Sequence, residues 1–333
     1  MSQVPVEARR VLILLNPKAG RRSPSGKVDR LADMLVHRKA YQVEVCTNLD
    51  AACRKANQWH SEGQLRALVP VGGDGTISDV VNRTEPGVPL AIFPAGTSNL
   101  IARHLRMKAN PELVYRTIAS GRLVRMDVGR AAGRLFVAMA SCGFDAEVAR
   151  RVHDHRKASR GGFLGYWSYV KPILDSIRSY QYPELRVHCD APCAGREASL
   201  PTEFAARWVF ALNLPNYGWG LPLAPWADQT DGLLDLCTFR RGSLPVGLWY
   251  VAAIHLGLHR QLSDCATLRV RRVRVTAQTD VEYQLDGDPA GRLPLEVEVV
   301  PGRMSVLLPP RPSAFSYQLA AGVAVAPCLC ETH

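Results

Sequence analysis

Residues 68–82, LVPVGGDGTISDVVN, leave few folds open to this chain. An apolar run that can be buried on both faces passes into Gly72-Gly73-Asp74-Gly75-Thr76 and then into a helical pattern. Strand, glycine turn and helix form the repeating unit of a parallel α/β sheet. The glycines lack Cβ and let backbone approach phosphate oxygens, and the helix start adds N–H donors and the positive end of its dipole. The same order recurs on both sides. VLILLNP (11–17) precedes a helix predicted over 26–40, with Val28, Leu31, Leu35 and Val36 on one stripe. YQVEVCT (41–47) precedes a helix over 50–61 opened by an Asp50 cap, and PLAIFPAGTSNLIARHL (89–105) repeats strand, glycine turn and helix. Open α/β sheets take their ligand at the carboxyl ends of the strands, so residues 10–127 read as a Rossmann-like nucleotide-binding α/β domain.

From about residue 128 the texture changes. RLFVAMASCGF (134–144), ELRVHCD (184–190), ARWVFALNL (206–214), LLDLCTF (233–239), LRVRRVRVTA (268–277) and PLEVEVV (294–300) alternate with period two between Gly and Pro breaks. That pattern predicts an antiparallel β-sandwich over 128–309, making the fold class α/β plus β. Helical stretches interrupt it at about 163–179 and 244–260. The second is strongly apolar but at the lower limit for crossing a bilayer, and it contains His255 and His259; it reads as buried or interfacial. Residues 310–333 form a C-terminal tail of weak periodicity that would pack back on the first domain.

A net charge of +11 favours anionic partners such as nucleotide phosphates or acidic lipid headgroups. Nucleic acid is set aside, because there is no zinc finger, aromatic RNP strand or basic zipper and the arginines are dispersed. The nine cysteines are odd in number and scattered, which argues for a reducing, cytoplasmic compartment. VLILL is too short for an export signal or a membrane span.

Two acidic turns join the glycine turn as candidates for chemistry. VEYQLDGDPAG (281–291) sets Asp286 and Asp288 two apart after an apparent strand, where one carboxylate can accept a hydroxyl proton and the other help hold a cation; D-G-D-P is equally a good turn sequence. WADQTDGLLDL (226–236) crowds Asp228, Asp231 and Asp235 around a glycine, as hard cations prefer, although solvated turn carboxylates account for it too. Gly20–Lys27 imitates a Walker A loop but has five intervening residues and no Ser or Thr after the lysine.

Taken in order, NPKAG (16–20), GGDGT (72–76), PAGTSN (94–99), ASCGFDAEV (140–148), APWADQTDGLLDL (224–236) and QLDGD (284–288) resemble the diacylglycerol kinase catalytic family, over residues 10–309. The family includes soluble bacterial diacylglycerol kinases and sphingosine and ceramide kinases. The resemblance implies an active site in the cleft between the domains. There Asn16, Thr47, Gly72, Gly73, Asp74, Gly75 and Thr76 would surround ATP, and Gly96, Thr97 and Asn99 would complete the wall. Asp286 matches the general base, with Asp74 and Asp288 positioning water bound to Mg²⁺. Asp231, with the carbonyls of Asp228 and Leu233, matches a structural cation site. Asp288 stands where many relatives have Glu, Leu100 where several have Asp, and NLPNYGWG (213–220) is bulkier than usual.

The implied activity is ATP-dependent transfer of the γ-phosphoryl group to the hydroxyl of diacylglycerol or a related lipid. The enzyme would be cytoplasmic and touch the membrane surface transiently. The 163–179 and 244–260 helices, with Trp167, Tyr169, Trp249 and Tyr250, are candidates for the lipid slot. Arg103, Arg106, Lys108, Arg122, Arg125 and the arginines of LRVRRVRV are candidates for meeting anionic lipid. An exposed strand edge in the second domain would allow a homodimer. Two other readings stay open: a small-molecule kinase like the NAD kinases, which also carry GGDGT, and a non-catalytic lipid or nucleotide sensor.

Overall fold

A computed structural model of the chain describes residues 2–16, 24–158, 180–190, 202–218 and 220–310. After a short strand β1 (Ser2–Gln3), β2 (Arg10–Leu15), β3 (Gln42–Cys46) and β4 (Leu65–Gly72) pair in parallel, and β5 (Pro89–Leu90) and β6 (Phe93–Pro94) follow along β4. The helices of this half are α1 (Ser25–Lys39), α2 (Leu49–Ser61), α3 (Asp74–Arg83), α4 (Leu100–His104) and α5 (Pro111–Ser120). Every residue of β4 is buried, as a strand covered on both faces requires. Two details depart from the pattern reading. Asn48, not Asp50, caps α2: its side chain accepts the Ala51 N–H at 2.9 Å, while Asp50 lies in the first turn and pairs with Arg83. On α1, Val28, Leu31 and Leu35 are buried with Met34, but Val36 is 44% exposed.

The second half comprises β7 (Arg122–Ala131), β8 (Arg134–Phe136), β9 (Met139–Gly143), α6 (Phe144–Ala158), β10 (Leu185–Cys189), β11 (Glu203–Ala206) and β12 (Trp208–Leu212). It continues with β13 (Leu234–Phe239), α7 (Leu244–His255), β14 (Cys265–Val270), β15 (Arg272–Ala277), β16 (Glu282–Leu285), β17 (Asp288–Arg292) and β18 (Leu295–Leu307). One sheet runs β14-β13-β12-β9-β16-β17. The other runs β11-β10-β15-β18-β5-β4-β2-β3, with β7 paired to β18 and β8 paired to β7. Phe136, Cys142, Val187, Val209, Leu236, Val275 and Val297 fill a common core between them, which makes the sandwich.

Segment 268–277 supplies two strands in different sheets. Leu268 and Val270 are buried in one, Val273 and Val275 in the other. Arg271-Arg272 breaks the alternation by one residue, and a one-residue shift turns every side chain to the opposite face. The long β18 breaks register between Val300 and Met304, then sets Ser305 and Val306 parallel to Pro89 and Leu90 of β5. Met304, Val306 and Leu307 thereby share a core with Val11 and Val69, so the sheet of the first half is completed by the last strand of the second. Residues 163–179, with Trp167 and Tyr169, and the tail after 310 lie outside the described residues, as do Pro17–Gly20. No described helix is long and apolar enough to cross a membrane.

Candidate active site

Parallel register places the loop residues in a row. Leu14 faces Cys46, Leu15 faces Val71 and Gly72 faces Pro94, so Asn16, Thr47, Gly73 and Ala95 all follow strand ends at one level. Asn16 Nδ2 donates to Thr76 Oγ1 at 3.0 Å, joining the first of these loops to the glycine turn. Thr47 and Thr97 are exposed beside them. Asn99, in the left-handed region at φ +50°, closes the loop after β6: its Oδ1 accepts the Gly96 N–H at 2.9 Å and its Nδ2 donates to the Gly96 carbonyl at 2.7 Å.

The glycines divide by role. A Cβ on Gly96 would stand 2.4 Å from Gly73 Cα, and a Cβ on Gly72 would stand 2.3 Å from Thr76 Oγ1. These residues are glycine because two loops meet backbone to backbone and Thr76 folds over the turn. Around Gly75 a Cβ would meet nothing within 4 Å, which leaves that position open to a bound group.

Asp74 is more committed than a free catalytic carboxylate. Its oxygens accept the N–H groups of Leu100 at 2.9 Å and Ile101 at 3.1 Å, capping α4. Burial raises its pKa above the usual carboxylate value; those amides and the charge of Arg103 act against that rise. Each oxygen keeps a second lone pair, which is what remains for metal-bound water.

Asp286 adopts φ +52° in the turn between β16 and β17, and its carboxylate accepts three consecutive backbone N–H groups: Val137 at 2.8 Å, Ala138 at 2.7 Å and Met139 at 3.1 Å. Burial raises its pKa, while these amides act against that rise; the buried Ser78 hydroxyl is close by but closes no hydrogen bond. Ser78 belongs to α3, four residues beyond Asp74, or about 6 Å along the helix axis. The same helix is fastened to the sandwich by Asn82, which exchanges hydrogen bonds of 2.8 Å with the Leu135 N–H and carbonyl. The glycine turn and Asp286 are thus brought together by opposite ends of the sequence. Asp288 is half-exposed, with Arg134 at 3.7 Å.

Several supports of this arrangement were not singled out in the sequence. The Gln284 side chain accepts the Gly287 N–H at 2.6 Å and donates to Ser141 Oγ at 2.8 Å and Asp145 Oδ2 at 3.2 Å; Ser141 also donates to Asp145. Burial pushes Asp145 up to about 6. Asn213 donates to the carbonyls of Asp127 and Val137 and so holds the connector whose amides bind Asp286. Ser141 and Asp145 lie i, i+4 within the quoted ASCGFDAEV, which was the available signal.

The turn at 228–233 is held by short-range hydrogen bonds and an ion pair. Asp228 accepts from the N–H and hydroxyl of Thr230, Asp231 Oδ1 accepts the Leu233 N–H at 2.9 Å, and Asp231 Oδ2 pairs with Arg269. A metal ion at Asp231 would have to displace that guanidinium. Among the described residues no group of three or more His, Cys, Asp or Glu is placed to hold a metal. Arg272 and Arg274 of LRVRRVRV also have acids opposite, Glu298 at 3.3 Å and Glu296 at 3.6 Å.

Residues 10–131 match the diacylglycerol kinase catalytic domain, and residues 138–308 match the YegS C-terminal NAD kinase beta sandwich-like domain. The chain is 30% identical over 252 residues to a diacylglycerol kinase of Mycobacterium tuberculosis, covering 73% of this chain and 77% of that one. It is 26% identical over 309 residues to a diacylglycerol kinase of Bacillus subtilis strain 168, covering 90% and 97%. In fold it is similar to the crystal structure of a diacylglycerol kinase from Bacillus anthracis str. Sterne, with a TM-score of 0.62 and 17% identity over 91% of this chain and 97% of that one. The chain belongs to the diacylglycerol kinase catalytic-domain family of kinases.

Proposed function

We propose that the chain is an ATP-dependent lipid kinase that phosphorylates the hydroxyl of diacylglycerol or a related lipid. One observation carries the reading: Asp286 is held on the amides of Val137, Ala138 and Met139, just beyond Leu135, which Asn82 of the helix that begins at the glycine turn binds through both its N–H and its carbonyl. The helix that opens at the phosphate cradle is thereby fastened to the connector that holds the proton acceptor.

ATP would lie along Asn16, Thr47, Gly72–Thr76 and Gly96–Asn99, with its phosphates over the open position at Gly75. The acceptor oxygen attacks the γ-phosphorus, the bond from that phosphorus to the ADP oxygen breaks, and the hydroxyl proton passes to Asp286. Mg²⁺ bound with ATP would neutralise phosphate charge. Asp74 and Asp288 are the carboxylates proposed to orient its water. The amides of residues 137–139 hold Asp286 in place, so little reorganisation accompanies proton transfer.

The reading is tested by ADP release from ATP in the presence of micellar diacylglycerol, a sphingoid base or NAD. Release driven by a lipid supports it and names the acceptor class. Release driven by NAD alone would replace it with the small-molecule kinase, and ATP binding without release would favour the sensor.

A further inference from the structure

The α7 region combines three features. Five of the eight large apolar side chains exposed among the described residues fall between 248 and 258, so the exposure is concentrated in one place. Leu248 is 62% exposed, Trp249 54% and Leu256 65%. The opposite side of the helix is firmly seated: Tyr250 stacks on Phe239 at 4.3 Å and donates to Asp264 at 2.7 Å, and Ala253 and Ile254 are buried. Gly247 allows Trp208 to come within 3.1 Å of where a Cβ would stand. The outward face is therefore apolar while the inward face is already satisfied.

Charge supplies the third feature. From Arg240 to Ser263 there is no Asp or Glu, and exposed Arg240 and Arg241 precede α7 while exposed Arg260 follows it. Asp264, the next acid, is largely buried and faces Tyr250 and Arg241. An apolar helix face rimmed by arginines is the arrangement of a helix lying in the headgroup region of a bilayer, with an indole at the boundary.

We infer that α7 docks the protein on an anionic phospholipid surface, with Leu248, Trp249 and Leu256 entering the acyl boundary and the three arginines meeting headgroup phosphates. The occupant is a membrane and not a second copy of this chain. A two-fold interface sets a patch against itself, and here that would bring cationic rims together. The inference deepens the lipid-kinase reading, since it names the surface that would deliver the enzyme to its acceptor, and it rests on that reading for its purpose alone.

The test is co-sedimentation of the full chain, without nucleotide, with vesicles of phosphatidylglycerol and phosphatidylcholine or of phosphatidylcholine alone. Wild type is expected to bind the anionic vesicles, with affinity falling as salt rises. Leu248→Ser with Trp249→Ser, and separately Arg240→Gln with Arg241→Gln, are expected to weaken binding at least tenfold with little change in melting temperature. The arginine variant should keep wild-type turnover of a short-chain, water-soluble acceptor. Unchanged vesicle binding in both folded variants would overturn the inference, as would a wild-type dimer that the serine variant splits while vesicle binding persists. Because binding is read without ATP, failure of phosphoryl transfer would leave this result standing.

Discussion

Asp74 Oδ2 accepts the Leu100 N–H at 2.9 Å, joining the glycine turn to the start of α4 across 26 residues of sequence. Asp74→Asn keeps one acceptor where two amides need one each. It is expected to cost about 1–2 kcal/mol in urea unfolding, with nucleotide affinity falling at least tenfold in calorimetry. Full stability with lost turnover would instead make Asp74 a group acting only on substrate or metal.

Gly75→Ala separates folding from binding. Space is open around its Cβ position and Gly75 lies within α3, where Ala is favoured over Gly by up to about 1 kcal/mol. The melting temperature should hold or rise while ATP affinity falls, because the added methyl occupies the approach of the phosphates. Undiminished ATP affinity would place the phosphates elsewhere.

Arg269 bears on the cation expected at Asp231. The pair is part-exposed, so Arg269→Gln should cost under about 1 kcal/mol. The freed carboxylate should make the variant's melting temperature respond to millimolar Ca²⁺ or Mg²⁺, while the wild type stays indifferent to both and to chelator. A wild type stabilised by added divalent ions would restore the metal to this turn.

Burial pushes Asp145 and Asp235 up to about 6. Between the ordinary carboxylate value and 6 the folded chain keeps protons that the unfolded chain has released. The stability these groups contribute is therefore full below about pH 4 and is lost as pH rises through 6. Glu147, lowered by Arg150 and Arg151, acts in the opposite sense, so the difference between wild type and variant is the readout. Asp145→Asn should gain on wild type by up to about 2–3 kcal/mol from pH 4 to pH 7 in urea midpoints. A gap that stays constant across that range would mean Asp145 titrates normally.

The loops of the first half were legible because strand, glycine turn and helix have local signatures, and Gly72–Thr76 and Gly96–Asn99 lie where those signatures put them. Asp286 could be named only from the order of motifs, since D-G-D-P alone also makes a turn. The capping by Asp74 was not legible, because the partner amides lie 26 residues on. Neither was Asp127, which accepts the N–H groups of Gly232 and Gly302 and ties two distant turns together. The split of 268–277 was written in Arg271-Arg272 as a phase break that a continuous β reading passes over. The α7 face was hidden for a different reason: apolar composition says that a helix seeks an apolar neighbour, and only the fold shows which side finds one among the described residues.

The most direct measurement is transfer of labelled γ-phosphate from ATP and Mg²⁺ into a total lipid extract, with wild type set against Asp286→Asn. Removing the base should lower transfer by at least about a hundredfold with ATP binding kept. Because an amide has one acceptor oxygen where three N–H groups converge on two, the variant should also lose about 1–3 kcal/mol of stability, and the two proteins are compared well below the variant's melting temperature. Label in a lipid band that is lost in the variant is the predicted result. Equal labelling by both proteins, or none by a wild type that binds ATP, would contradict the assignment.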